Sequence, residues 1–143
     1  GTARYFEPKT QETIRRRLRE LAEGLAATYG VTAELDYQPL CIPTVNDTEK
    51  TEVARAAAGA VVGAAKVGEI PMSTGGEDFA FMLREKPGAF IRIGNGVNAD
   101  GSFHNVHTPH YDFNDEALAL GAAYWASLVR HELGWASEEA KAA

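Results

Sequence analysis

Apolar side chains recur along this chain at two different periods, and the changes of period divide it into elements. Thr2 to Phe6 is short and β-prone. From Pro8 the period becomes helical. Ile14, Leu18, Leu21, Leu25 and Tyr29 follow at spacings of four, three, four and four, which makes one apolar stripe. Arg15, Arg16, Arg17, Arg19 and Glu20 fall mostly on the other faces, and Gly30 is placed to end the helix with positive φ. Val31, Ala33, Leu35 and Tyr37 then alternate with Thr32, Glu34, Asp36 and Gln38, the pattern of a strand buried on one side. Strand, helix and strand in that order predict a βαβ-type unit over residues 1–43, its helix covering one face of a sheet.

Pro39 and Pro43 bracket a stretch that cannot be a central strand, so a domain crossing is expected there. Asn46-Asp47-Thr48 offers N-caps for a helix running to about Lys66. Its interior, from Val53 to Ala65, is small and apolar on most sides, which suits close packing on a sheet or another helix. Glu69 to Met72 reads as a strand, Glu77 to Arg84 as a short helix, and Ala89 to Ile93 as a strand after the Pro87-Gly88 turn. Gly94 to Gly101 is a loop. Asp112 to Asp115 caps a final helix carrying Leu118, Ala122, Trp125, Leu128, Val129 and Leu133. The expected fold class is therefore α/β over residues 44–143 as well. The small and charged residues from Ala136 to Ala143 read as a solvated tail.

Composition narrows the function classes. The chain has 143 residues, of which 45% are hydrophobic and 24% charged, enough apolar material for one core and too much for a disordered or fibrous class. Residues 1–43 carry six basic and six acidic side chains, whereas 44–143 carry eight and fourteen, so the whole net charge of −6 lies in the second part. That balance argues against a nucleic-acid partner bound through phosphates. No apolar run approaches the roughly 20 residues of a membrane span, so no membrane partner is expected. Cys41, the one cysteine, excludes an internal disulfide framework and a Cys-x-x-Cys zinc site, and fits a reducing, cytoplasmic setting. The opening run Gly1-Thr2-Ala3-Arg4-Tyr5-Phe6 reads as the middle of a strand, from which a piece of a longer protein is expected.

Two segments could carry chemistry. In Phe103-His104-Asn105-Val106-His107-Thr108-Pro109-His110-Tyr111-Asp112, three histidines at intervals of three would share a helix face, but Pro109 pushes its neighbour out of the helical region. On an extended loop the three side chains diverge, so one histidine contributed to a site built elsewhere is the more natural use. A hydrogen-bonded loop residue stays open as the alternative. In Ser73-Thr74-Gly75-Gly76-Glu77-Asp78-Phe79, a strand end, two glycines and a helix start leave backbone N–H groups free to receive an anionic group. Ser73 or Thr74 could add a hydroxyl. The alternative is an ordinary helix start whose dipole Glu77 and Asp78 satisfy. Gly94-Asn95-Gly96 has the glycines of a phosphate loop but no GK[ST] or GxGxxG pattern. Arg15-Arg16-Arg17, interspersed with Glu12, Glu20 and Glu23, reads as a solvated face.

Taken in order, Gly1-Thr2-Ala3-Arg4-Tyr5-Phe6-Glu7-Pro8, Pro43-Thr44-Val45-Asn46-Asp47, Gly76-Glu77-Asp78-Phe79 and His107-Thr108-Pro109-His110-Tyr111-Asp112-Phe113-Asn114-Asp115-Glu116 resemble the motifs of one family. It is the M20 metallopeptidases, in the amidohydrolase branch with hippurate, N-acyl-amino-acid and auxin-conjugate hydrolases. The resemblance implies a metal-dependent amidohydrolase that uses metal-activated water on N-acyl amino acids or small peptides. It also implies two domains: residues 1–43 as the second half of a lid that often forms a dimer contact, and 44–143 as the C-terminal part of the α/β catalytic domain. His107, the histidine of His-x-Pro, is implied as a ligand of a dinuclear site (manganese, zinc, cobalt or nickel), and Ser73, Thr74, Gly75, Gly76 and Glu77 as substrate-orienting residues. His104 and His110 match no ligand position. The family's other ligands, its general-base glutamate and its lid histidine lie in an N-terminal half outside these 143 residues. No catalytic residue is therefore assigned in this chain, which is expected to be inactive alone, not to retain the ions, and to associate through an exposed sheet or as a lid-mediated homodimer. A second reading is a non-catalytic binding or dimerisation module that keeps the family fold. A βαβ nucleic-acid module over 1–43 ranks last, since it lacks the aromatic platform and positive balance.

Overall fold

The computed structural model describes residues 1–98 and 100–134; the expected tail over 136–143 and Ala99 of the 94–101 loop lie outside the described residues. Four α-helices are formed, α1 (Pro8–Tyr29), α2 (Thr48–Val62), α3 (Phe79–Glu85) and α4 (Glu116–Glu132), with a 3₁₀ turn at Ala64–Lys66. The chain divides into two compact units, one of residues 1–45 and 71–87, the other of residues 46–70 and 88–143.

In the first unit, α1 begins at Pro8, whose fixed φ and missing N–H suit the first helical position. It ends as its sequence predicts, on Gly30 with φ 66°, where the Gly30 N–H bonds to the Ala26 and Ala27 carbonyls and the Val31 N–H returns to Ala26. Glu20 draws Arg16 and Arg17 together on the solvated face. Their hydrogen bonds hold its carboxyl below the usual carboxylate range. The apolar stripe stays open. Ile14 is half-buried, while Leu21, Leu25 and Tyr29 are 54, 59 and 77% exposed.

The second unit is organised by α2 against α4. The Asp47 carboxylate accepts the Lys50 N–H at 2.9 Å, and the Thr51 hydroxyl donates to the Asp47 carbonyl at 2.7 Å, so the expected cap is made. The helix stops four residues earlier than expected because Gly63, at φ 84° and ψ 139°, turns the chain into the 3₁₀ turn. Ala54 and Ala57 are buried on α2 and Tyr124 on α4, and small residues there let the backbones approach. Ser127 donates its hydroxyl to the Ala57 carbonyl at 3.1 Å, and Lys50 meets Glu132 at 2.9 Å. Those pairs run the start of one helix along the end of the other, so the two are antiparallel. Of the two partners left open for α2, a sheet or another helix, the structure provides the helix.

The α/β expectation fails, for the βαβ unit over 1–43 and for 44–143 alike. Among the described residues there is no β-strand, so the exposed sheet expected to mediate association is absent too. Thr2 to Phe6, Val31 to Gln38, Glu69 to Met72 and Ala89 to Ile93 all run without a ladder. Part of their alternation is nevertheless expressed: Ala3 and Tyr5, then Leu35 and Tyr37, are half-buried between exposed neighbours. The physical reason is that alternation tells which face of an extended segment can be buried, while a strand needs a neighbouring backbone. At Phe90 a side chain takes that neighbour's place. Asn46 accepts the Phe90 N–H at 2.8 Å and donates to the Phe90 carbonyl at 2.9 Å, and the Asp47 N–H bonds to the Gly88 carbonyl at 2.9 Å. The buried hydrophobic side chains are correspondingly small, namely Ala26, Ala54, Ala57 and Ala80, with Tyr124 as the large exception.

Candidate functional site

His107 lies in the second unit, in a turn that precedes α4. The residues around it are exposed, and Pro109 keeps the segment out of a helix as its sequence predicts. The turn is closed by the Thr108 hydroxyl donating to the Asn105 carbonyl at 3.0 Å and by the Tyr111 N–H donating to the Thr108 carbonyl at 3.2 Å. His107 has φ 67°, the one non-glycine residue with positive φ among the described residues. That region is disfavoured for residues with a Cβ and is visited more by histidine than by most. The imidazole makes no hydrogen bond to the described residues. Divergence of the three histidines holds only in part: the His104 and His110 rings meet, with centroids 5.4 Å apart, and His107 is left out of that pair.

Downstream, Tyr111 and Phe113 pack edge to face at 5.0 Å, and the Asn114 side chain accepts the Glu116 N–H at 3.0 Å as α4 starts. Asn95 is more than a loop residue. Its side-chain N–H donates to the Asp112 carbonyl at 2.7 Å, and its oxygen accepts the Asn114 N–H at 2.8 Å. A sequence reading that weighed Gly94-Asn95-Gly96 only as a phosphate loop missed this. No local signal distinguishes an asparagine that braces a distant backbone from one that fills a turn.

The second candidate, Ser73 to Glu77, belongs to the first unit. Ser73, Thr74 and Gly75 are exposed, while Gly76 and Glu77 are half-buried. The Ser73 hydroxyl oxygen already accepts the Gly75 N–H at 3.2 Å, which leaves its proton free to donate. α3 begins at Phe79 rather than at Glu77, since the first turn bonds run from Ala80 to Glu77 and from Phe81 to Asp78. The turn's distinguishing feature is crowding at Gly76. A Cβ there would come 2.5 Å from the Arg4 guanidinium, 3.0 Å from Cys41 Cβ and 3.1 Å from its sulfur. Arg4 thus brings a positive charge against the turn, and it makes no salt bridge among the described residues. The sequence reading used Arg4 only as part of a motif. Tyr5 secures the same corner by donating to the Cys41 carbonyl at 3.1 Å. Its phenol is pushed above the ordinary tyrosine value, by burial first and then by Tyr37 and Cys41.

Crowding at Gly76 yields an expected result. Gly76→Ala forces the flexible Arg4 tip aside and presses on Cys41 Cβ, which cannot swing away. The cost is about 1–3 kcal/mol, the usual penalty of overpacking. The matched change Gly68→Ala, where a Cβ meets nothing within 4 Å, leaves the urea midpoint nearly unmoved. Equal midpoints for the two variants would contradict the close approach.

Neither His107 nor the Ser73–Glu77 turn lines the cavity of about 670 Å³ found in the second unit, which opens among α2, residues 66–70 and 89–94, and Tyr124. Among the described residues no group of three or more His, Cys, Asp or Glu side chains is placed to hold a metal ion. Protein metal sites use three or four such donors. The donors among the described residues do not by themselves fit the dinuclear centre that the motif resemblance implies. No helix among the described residues is long and apolar enough to cross a membrane.

Comparison with known proteins gives a family match and several relatives. The family described as Peptidase family M20/M25/M40 matches residues 6–131. N-acetylcysteine deacetylase of Bacillus subtilis is 33% identical, with 90% of this chain and 32% of that protein covered. IAA-amino acid hydrolase ILR1-like 4 of Arabidopsis thaliana is 28% identical over 93% of this chain and 31% of its own length. N-acetyldiaminopimelate deacetylase of Enterococcus faecalis is 31% identical over 85% and 31%. The chain spans about a third of the length of each of these three relatives. No solved structure matches it.

Proposed function

The chain belongs to peptidase family M20/M25/M40, and we propose that it is part of a metal-dependent amidohydrolase that cleaves the amide bond of N-acyl amino acids or small peptides. The observation that carries the reading is the ordered match over residues 6–131 to a hydrolase family, with relatives named as deacetylases and an amino-acid-conjugate hydrolase. Within that reaction the role of His107 is to contribute one imidazole donor from an exposed turn. No hydrogen bond to the described residues competes there for the ring lone pair with which an imidazole binds a metal. In this reading the remaining donors come from outside these 143 residues.

The Ser73–Glu77 turn has a separate task, to orient the substrate. The exposed residues Ser73, Thr74 and Gly75, the free Ser73 hydroxyl proton and the Arg4 guanidinium beside Gly76 together suit a carboxylate, the group that every N-acyl amino acid carries.

The test is a substrate panel on the longer protein, with N-acetyl and N-aroyl amino acids, their carboxyl-methylated esters and a dipeptide. Released amino acid is quantified with added manganese, zinc, cobalt or nickel. The expected result is amide hydrolysis that depends on the ion and falls at least tenfold when the substrate carboxylate is esterified. Absence of amide cleavage across the panel would overturn the reading.

A further inference from the structure

We propose that Asn95 is a positioning residue that sets the backbone of the histidine turn, an inference that rests on the role given above to His107. The Asn95 amide uses both its ends on one distant peptide segment. Its N–H donates to the Asp112 carbonyl at 2.7 Å and its oxygen accepts the Asn114 N–H at 2.8 Å, so the side chain acts as a surrogate strand neighbour for residues 112–114. Both bonds are short and span 17 and 19 residues of sequence.

From that anchor a run of bonds leads to His107. Residue 112 is preceded by Tyr111, whose N–H donates to the Thr108 carbonyl at 3.2 Å, and the Thr108 hydroxyl donates to the Asn105 carbonyl at 3.0 Å. His107 sits inside this closed turn at φ 67°. A left-handed conformation at a residue with a Cβ persists where its surroundings hold it. On the other side, Asn114 accepts the Glu116 N–H at 3.0 Å, which ties the same segment to the start of α4. Gly96 completes the fit: it adopts φ 82°, and a Cβ there would stand 3.4 Å from the Asn114 side-chain nitrogen. Of the two glycines flanking Asn95, Gly96 thus serves the approach to this segment, whereas a Cβ at Gly94 would meet nothing within 4 Å.

Asn46 provides the matched control. It makes the same two bonds, donor and acceptor, to the Phe90 backbone in the same unit. The experiment compares Asn95→Ala, Asn95→Asp and Asn46→Ala in the 143-residue chain by NMR and amide hydrogen exchange. In Asn95→Ala the Tyr111 and Asn114 amides are expected to exchange at least tenfold faster, and the His107 backbone and imidazole resonances to move. In Asn95→Asp, which keeps the acceptor oxygen and loses the donor, the protection of the Asn114 amide returns while the His107 shift remains. In Asn46→Ala the added exchange is confined to Phe90 and its neighbours, with His107 unmoved. His107 resonances that stay in place in both Asn95 variants, or that move equally in Asn46→Ala, would overturn the proposal. Should Asn95→Ala fail to fold, Asn95→Asp carries the same comparison. None of these readouts involves turnover, so their failure leaves the amidohydrolase reading standing, and failure of the substrate panel leaves them standing in turn.

Discussion

Replacing His107 with alanine in the proposed longer hydrolase is expected to lower kcat/KM at least a thousandfold, or about 4 kcal/mol of transition-state stabilisation. The size follows from what is removed. An exposed turn holds an imidazole that makes no hydrogen bond to the described residues, so the substitution disturbs little packing and deletes a donor. With three or four protein donors in an ordinary site, losing one leaves the set incomplete. The same change at His104 or His110 removes only an exposed ring from a pair whose centroids are 5.4 Å apart, and activity is expected to stay within a few-fold. Initial rates of amino-acid release from an N-acetyl amino acid separate the three variants. Equal losses at all three positions would assign the effect to the loop as a whole.

A second large effect is expected from the 143-residue chain itself, which should release no amino acid above the uncatalysed background under conditions where the longer protein turns over. Two observations support this. Among the described residues no three-donor group exists, and one imidazole cannot assemble an ion site. Among the described residues the buried side chains are mainly alanine, while Leu21, Leu25, Met72, Phe113 and Leu118 stay more than half exposed, as for surfaces that await covering. Adding the covering portion of the longer protein in trans should restore ion-dependent turnover. Ion-dependent hydrolysis by the isolated chain would contradict this expectation.

What was legible in the sequence was the chemistry that acts over a few residues. The period of Ile14 to Tyr29, Pro8 and Gly30 located α1 with its correct stop, because periodicity, the first-turn proline and the left-handed cap are all local. Asp47 was equally legible as a cap, and Pro109 correctly forbade a histidine helix. The strands were not legible, since an alternating segment such as 31–38 states a preference for one face and contains nothing about a neighbour. Gly63 and Asn46 then decided details that periodicity could not carry: where α2 stops, and what occupies the backbone of Phe90. At the candidate sites, motif order located His107 and the Ser73–Glu77 turn. Its left-handed backbone, the Arg4 approach to Gly76 and the Asn95 brace depend on residues far apart in the chain and were invisible beforehand.

Ion counting reaches the proposed division of donors between this chain and the rest of a longer hydrolase without relying on turnover. The longer protein, its His107→Ala variant and the 143-residue chain are each dialysed to equilibrium against micromolar manganese or zinc, and the bound ion is measured. The expected result is retained ions in the longer protein, a deficit in His107→Ala and no stoichiometric ion on the short chain. A full equivalent held by the 143 residues, undiminished by His107→Ala, would contradict it.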